Sequence, residues 1–426
     1  MKENPSGQKS ASRRDFIKSS VAASLAAAIP GGLGLHAQGT DTIRIGVIGC
    51  GGRGTGAAID CLDAAPGVEI VAMGDLFVDR IESSLKAIKE KHPDKVKVTK
   101  DRCFTGFDNY LKVVASPDVN LIVTAAAPGF RPIHLKAAVE GGKHVFMEKP
   151  VAVDPAGVRS VIASAKLARE KGLAVVCGTQ RRHQKSYLEL MKRLHDGQIG
   201  EIIGGQCYWN QGELWVVKRT PQMSDMEWQC RNWLYFTWLS GDHIVEQHIH
   251  NIDVMNWAFG SLPVKVTGMG GRQQRTAPEY GNIYDHFAVE YEYPNGVRVA
   301  SLCRQIPGCA DRVEERIVGT KGYAFGYGEI HGENFWKFEG DEPNPYVQEQ
   351  ADLIAGIRSG NFLNEGRRIA ESTMCAIMGR MSAYTGRAIG WEWAMTSSKL
   401  DLTPPRYEFG PNPVDPVAIP GQTQLV

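Results

Sequence analysis

At 426 residues, 43% of them hydrophobic and 22% charged, the chain is long enough for two globular domains with separate cores, which excludes a single small module. Its formal net charge is +1 and its Lys and Arg residues are scattered, so the basic footprint of a nucleic-acid or anionic-membrane binder is missing and a small neutral or weakly charged partner fits better. The nine cysteines are odd in number and contain no C-x-x-C, as expected of a reduced, buried set rather than a disulfide framework or a zinc ribbon.

In chain order, the first feature is Ser12 to Lys18, S-R-R-D-F-I-K, followed by an Ala-rich run and a small residue at Ala37. The apolar run from Val21 to Ile29 is too short to cross a bilayer. The pattern resembles a twin-arginine (Tat) export signal, which predicts a removable segment over residues 1–37, a periplasmic mature protein and no stable membrane insertion after export.

Next, "TIRIGVIGCGGRGTG" runs an apolar strand into G-x-G-x-x-G at Gly49, Gly51 and Gly54, ahead of a helix-like stretch. Gly49 suits the tight turn, Gly51 lets backbone approach a pyrophosphate, and Gly54 permits close helix-on-strand packing; Gly52 and Arg53 complete the cradle. A second strand, "VEIVAMGD", ends at Asp75, 21 residues after Gly54. A carboxylate there accepts from a ribose 2'-hydroxyl and repels a 2'-phosphate, which favours NAD, with NADP as the alternative because Arg53 and Arg80 could offset the repulsion. Strand and helix signals continue to alternate through "VNLIVTAAAP" and "KHVFME", predicting a doubly wound parallel sheet over residues 38–178. Glu148 and Lys149 then fall at the sheet rim where ligands bind.

From residue 179 the pattern changes to long alternating strands with few helices between them, as in "YDHFAVEYEYPNGVRVASLCRQI". Residues 179–426 are therefore expected to form an α+β domain with a large, mostly antiparallel open sheet. Within it lies "SGDHIVEQHIHNIDVMNWAFG"; on one continuous helix Glu246, His250 and Asp253 would share a face. His248 and His250 would point apart and there is no H-E-x-x-H, so no metal is expected. Five of the nine tryptophans, Trp209 to Trp238, fall between Tyr208 and the His-rich stretch, where aromatic faces could stack on sugar rings. Arg182 and His183, just past the strand "LAVVCG", are further candidates for a substrate pocket.

The glycine loop, "GGKHVFMEKPVAVD", "VVCGTQRRHQKSYLE" and "IMGRMSAYTGRAIGWE" together resemble the glucose-fructose oxidoreductase, inositol dehydrogenase and rhizopine catabolism (Gfo/Idh/MocA) family over nearly all of the chain after the export segment. E-K-P is that family's hallmark, and the resemblance implies a nicotinamide-dependent oxidoreductase acting on a hydroxyl-bearing carbon of a sugar, polyol or glycoside. It implies Lys149 as a catalytic or substrate-binding group that donates a hydrogen bond and, if burial lowers its pKa, shuttles a proton. It also implies His250 as general base, oriented by Glu246 where the family usually has aspartate, and a second domain that covers the nicotinamide and builds a homodimer or homotetramer. The expected substrate contacts are Arg182, His183, Trp209 and Asp253; the expected cofactor contacts are the glycine loop, Asp75, Glu148 and Lys149. Free NAD is scarce outside the cytoplasm, so a tightly held cofactor is expected. The alternative is a redox-neutral, NAD-dependent glycoside hydrolase or lyase working by transient ring oxidation and elimination; a retired, non-enzymatic sugar sensor ranks last.

Overall fold

The computed structural model describes residues 42–426. The proposed export segment lies outside the described residues.

Six strands, β1 (Ile43–Ile48), β2 (Val68–Asp75), β3 (Cys103–Thr105), β4 (Leu121–Thr124), β5 (His144–Met147) and β6 (Val175–Cys177), form one sheet in the order β3-β2-β1-β4-β5-β6. Every pairing in it is parallel. The central strands are short apolar runs with no polar alternation, because helices cover both faces: Val47, Val123 and Phe146 are fully buried, as are Ile122 and Val145 on the opposite side. The chain order reverses between β1 and β4, and a crevice opens beyond their C-terminal ends at that switch point.

Helix α1 (Gly52–Ala64) starts directly at the glycine loop. Gly49 has φ of +86°, and a side chain there would lie 2.4 Å from the Ala126 amide nitrogen. A Cβ on Gly54 would lie 1.8 Å from the Gly49 carbonyl oxygen, so both positions require glycine for the turn and the helix to pack. Helix α2 (Pro155–Glu170) follows β5, with Asp154 accepting the Gly157 amide at its N-terminus.

The second sheet has nine strands: β7 (Ile202–Gln211), β8 (Lys265–Gly271), β9 (His286–Glu292), β10 (Arg298–Gln305), β11 (Arg312–Gly319), β12 (Gly322–Phe325), β13 (Glu329–Gly332), β14 (Trp336–Lys337) and β15 (Ile389–Gly390). Their order is β14-β13-β12-β11-β7-β10-β9-β8-β15, antiparallel except where β10 runs parallel to β7. Period-two burial along β9 and β10 turns Phe287, Val289, Val299 and Cys303 inward, onto helices α3 (Ile249–Phe259) and α5 (Gly366–Thr385). Helix α4 (Pro345–Ser359) crosses back to pack on α1, so the second half of the chain closes on the first at the glycine-loop helix.

Candidate active site

Above the switch point lies a cavity of about 550 Å³. Gly49, Gly51, Gly52, Arg53 and Asp75 line one side, and Ala125 to Ala127 beyond β4 line the floor. A Cβ built on Gly51 or Gly52 meets nothing within 4 Å, so these two glycines border open space while Gly49 and Gly54 are packed. Backbone at the start of α1 therefore faces an empty cradle able to take phosphate oxygens on amide donors. Asp75 sits at the rim, its carboxylate accepting the Cys50 amide (2.6 Å) and the Phe77 amide (3.0 Å), with burial pushing its pKa up against those hydrogen bonds. These residues fit a dinucleotide, pyrophosphate on the loop and ribose at Asp75.

Arg53 does not reach toward Asp75. Its Nε donates to Glu148 (2.6 Å) and its Nη1 to Asp60 (3.1 Å), and its guanidinium lies 4.9 Å from the Tyr346 ring centroid. Glu148, expected as a cofactor contact, is instead buried; it accepts from Arg53 and from the Lys149 amide and packs so tightly on Gly178 that a Cβ there would meet its carboxylate at 2.5 Å. Glu349 of α4 approaches the same guanidinium at 3.8 Å with no exposure; burial and the neighbouring Glu148 push its pKa well up. The first residue of E-K-P thus clasps the glycine-loop helix, and neither Glu148 nor Lys149 lines the cavity.

Lys149 stands at the end of β5, before a cis bond to Pro150. Its ammonium donates to the Glu246 carbonyl (2.6 Å) and to the Glu246 carboxylate (3.0 Å), with the two side chains 11% and 8% exposed. The continuous helix expected across this region is not formed: His243–Glu246 is a single turn, and α3 begins anew at Ile249. The Glu246 carboxylate consequently serves Lys149, and the reading that it orients His250 is corrected.

His250, on the first turn of α3, stacks on Trp209 with ring centroids 5.6 Å apart and has no hydrogen bond to either ring nitrogen among the described residues. Burial first, then the charges of Lys149 and Arg181, hold its pKa well below that of a free imidazole. The result is a neutral, unpartnered base beside an ion-paired ammonium.

Three of the four expected substrate residues are committed elsewhere. Asp253 is buried between Arg182 (2.8 and 3.0 Å), Arg368 (3.4 Å) and Ser372 (2.8 Å); although burial opposes it, these partners hold its pKa far below the carboxylate range. Arg182 also lies over Trp257, 4.3 Å from the ring centroid. His183 bridges Asp352 (2.6 Å) and Glu365 (3.6 Å), which raise its pKa to about 9 against the pull of burial. Trp209 alone of the four lies against His250. Arg182 and Arg368 brace α3 through Asp253, whereas His183 ties α4 to the start of α5.

Sequence reasoning missed Arg181. It pairs with the buried Glu315 and lies 5.8 Å from the Trp209 ring centroid, leaving its other guanidinium nitrogens without a partner among the described residues. Nothing in "QRRH" distinguishes Arg181 from Arg182; the short 3-10 turn over Gln180–His183 sends Arg182 inward to Asp253 and Arg181 to the Trp209 side. The tryptophan-rich segment also divides. Trp215 and Trp233 line the cofactor cavity, Trp228 donates to the Val217 carbonyl (2.8 Å), and Trp238 donates to Gln229 (2.7 Å). Of the other histidines in the stretch, His243 faces the Trp209 carbonyl (3.2 Å) and His248 faces Ser301 (2.7 Å).

Residues 43–179 match the profile described as "Oxidoreductase family, NAD-binding Rossmann fold", and residues 187–325 match the GFO/IDH/MocA C-terminal domain. The chain belongs to the GFO/IDH/MocA family. Among curated proteins it is 26% identical over 258 residues to inositol 2-dehydrogenase 3 of Saccharopolyspora erythraea, an alignment covering 61% of this chain and 65% of that one. It is 27% identical over 243 residues to a glycosyl hydrolase family 109 protein of Streptomyces niveus, covering 56% and 46% respectively. The chain thus spans just under two thirds of the one relative's length and about half of the other's. Among solved structures, scyllo-inositol dehydrogenase from Lactobacillus casei with bound NAD(H) and scyllo-inositol superposes with a TM-score of 0.63 at 17% identity, over 82% of this chain and 99% of that one; the likeness is one of fold.

Proposed function

We propose that the protein is an NAD-dependent oxidoreductase acting on a hydroxyl-bearing carbon of a sugar or polyol. The observation that carries this reading is the neutral, unpartnered His250 beside the ion-paired Lys149, at the same sheet edge as the glycine-lined cavity. Bound NAD supplies the hydride acceptor and donor. His250 takes the hydroxyl proton, and the Lys149 ammonium, ion-paired with Glu246, donates a hydrogen bond to the same oxygen and stabilises charge growing on it. Trp209 offers a ring face to the C–H side of the substrate, and Arg181 adds N–H donors beside it. NAD is favoured over NADP because Asp75 occupies the ribose position and Arg53, tied to Glu148 and Asp60, does not offset its charge.

The cofactor is carried between turnovers. Trp215, Val217, Cys230 and Trp233 cover the Asp75 side of the cavity, and Arg231 is fastened to Asp79 by two contacts of 3.1 and 3.2 Å. Phe409 stacks on Phe77 and meets Phe107 at a tilt, with ring centroids 5.8 and 5.0 Å away. Retention fits the proposed Tat export of a folded, loaded protein to the periplasm, as do nine unpaired cysteines. The open face of the second sheet, where Met269, Ala288, Leu302 and Tyr208 align across four strands, supports a homodimer or homotetramer. Similarity to a glycosyl hydrolase family 109 protein keeps a redox-neutral glycosidase as the second reading.

The test is to release and identify any nicotinamide from the purified protein, then follow its near-UV absorbance on adding myo-inositol, aldoses and chromogenic glycosides without external cofactor. Reduction by a polyol or sugar, stopping after one equivalent, is expected. Sustained glycoside cleavage with no net absorbance change would install the second reading, and a protein that neither contains nor binds a nicotinamide would overturn both.

A further inference from the structure

We infer that the chain holds a second small-molecule site, for a monocarboxylate with an apolar body, in a cavity of about 380 Å³ beneath residues 400–426. This cavity shares no lining residue with the cofactor cavity and contains none of the hydride-transfer groups.

Arg380, on α5, is the cationic side chain of its lining. The residue is 1% exposed; its Nη1 donates to the Gly241 carbonyl (3.0 Å), and its Nη2 is buried without a hydrogen-bond partner among the described residues. No carboxylate lies within ion-pair distance of it among the described residues. Asp242, which follows the Gly241 that Arg380 holds, already accepts from Tyr384 (2.5 Å), the Tyr284 amide (2.8 Å) and the His243 amide (2.5 Å). A guanidinium removed from water with one donor nitrogen unsatisfied is a standing cost that an incoming carboxylate offsets with a charge-assisted hydrogen bond. Burial lowers the Arg380 pKa, in keeping with an uncompensated cation, but the geometry alone makes the site.

The walls set the rest of the ligand. Met381, Leu402, Val417 and Leu425 supply apolar surface, and Thr237 and Asn282 are polar groups at the same lining. Asp415, exposed on the lining, disfavours phosphates and other polyanions, which leaves a singly charged head with a hydrocarbon body.

Occupancy would be felt at the catalytic segment. Arg380 holds the carbonyl of Gly241 and Tyr384 holds the carboxylate of Asp242, and these two residues, with φ of +78° and +77°, open the stretch that carries His243, Glu246 and His250. For Asp242 that backbone is strained, so the segment is held in place by the contacts Arg380 and Tyr384 make.

The test titrates the full-length protein with benzoate, using benzamide as the uncharged control, by calorimetry with saturating NAD present. Saturable one-to-one benzoate binding with a Kd of about 1 mM or tighter is expected, with benzamide weaker by at least about tenfold. Arg380→Met should weaken benzoate by a similar factor, and Ala418→Phe, which fills the cavity and leaves Arg380 in place, should abolish binding. Hydrogen exchange at residues 241–243 should slow in the benzoate complex. Failure of benzoate to bind the native protein, or binding unaltered by Ala418→Phe, overturns the site. Should Arg380→Met fail to fold, Ala418→Phe and the benzamide comparison decide alone. Because the readout is binding, the outcome is independent of whether hydride transfer is the reaction.

Discussion

Replacing Glu246 by alanine tests the central rearrangement of the site. At 3.0 Å two unit charges attract by roughly 5 kcal/mol at an effective dielectric near 20, and desolvation of both groups cancels a large part of this. Deleting one partner is the costlier change, because the ammonium stays nearly buried with only the Glu246 main-chain carbonyl as acceptor. Glu246→Ala is therefore expected to lower unfolding stability by about 3 kcal/mol and, by letting Lys149 swing from its position, to lower kcat about 100-fold. Glu246→Gln keeps a neutral acceptor at the same reach and should lose about tenfold in kcat. The assays are urea unfolding and single-turnover reduction of the bound nicotinamide, run on both variants, on Lys149→Met and on the double variant. Coupling of at least about 1.5 kcal/mol between positions 149 and 246 is expected, since the groups touch. Additive losses, or an unchanged kcat in Glu246→Ala, would refute the pairing as the functional role of Glu246.

Other outcomes follow from the same geometry. Gly51→Ala should fold with unchanged stability but bind NAD at least about tenfold more weakly, since its methyl enters open cradle space, whereas Gly54→Ala should lose several kcal/mol of stability, about 3 or more, against the Gly49 carbonyl; denaturant melts with NAD titrations separate the two. His183 has its pKa raised from 6.5 to about 9 by its two carboxylates, so its contribution, at most about 3 kcal/mol, is fully present below pH 6.5 and lost as pH rises through about 9; urea melts across that range should show the decline, and His183→Gln should flatten it. Arg231→Ala removes the Asp79 contacts and a cation lying 3.8 Å from the Phe77 ring centroid, worth about 1 kcal/mol together; released nicotinamide measured by fluorescence should appear about fivefold faster, with kcat unaltered. His250, held neutral by burial and by Lys149 and Arg181, should give a kcat/KM that stays flat as pH falls through 6.5, and a limb near pH 6.5 removed by His250→Asn would contradict this.

The sequence by itself determined the features that depend on near neighbours along the chain. An apolar run feeding into G-x-G-x-x-G states its own turn, because only glycine takes the φ of +86° at Gly49 and the contact at Gly54. Parallel and antiparallel sheets were legible for the same reason: unbroken apolar strands separated by helices announce burial on both faces, and period-two strands announce burial on one. Lys149 and His250 were legible through a resemblance, and their proximity is a fact of tertiary structure. What only the tertiary structure decided is which charge meets which. Glu246, Asp253 and Glu148 are equally plausible carboxylates on paper, yet a break in the helix at Gln247 and His248 delivers the first to Lys149, the bracing arginines claim the second, and Arg53 claims the third. Arg181 and Arg182 are adjacent and chemically identical, and a single short turn gives one to Glu315 beside Trp209 and the other to Asp253. Ion pairing between residues more than 100 positions apart, as in Arg181 and Glu315, depends on how the strands and turns of the folded chain come together, and no local pattern encodes that distance.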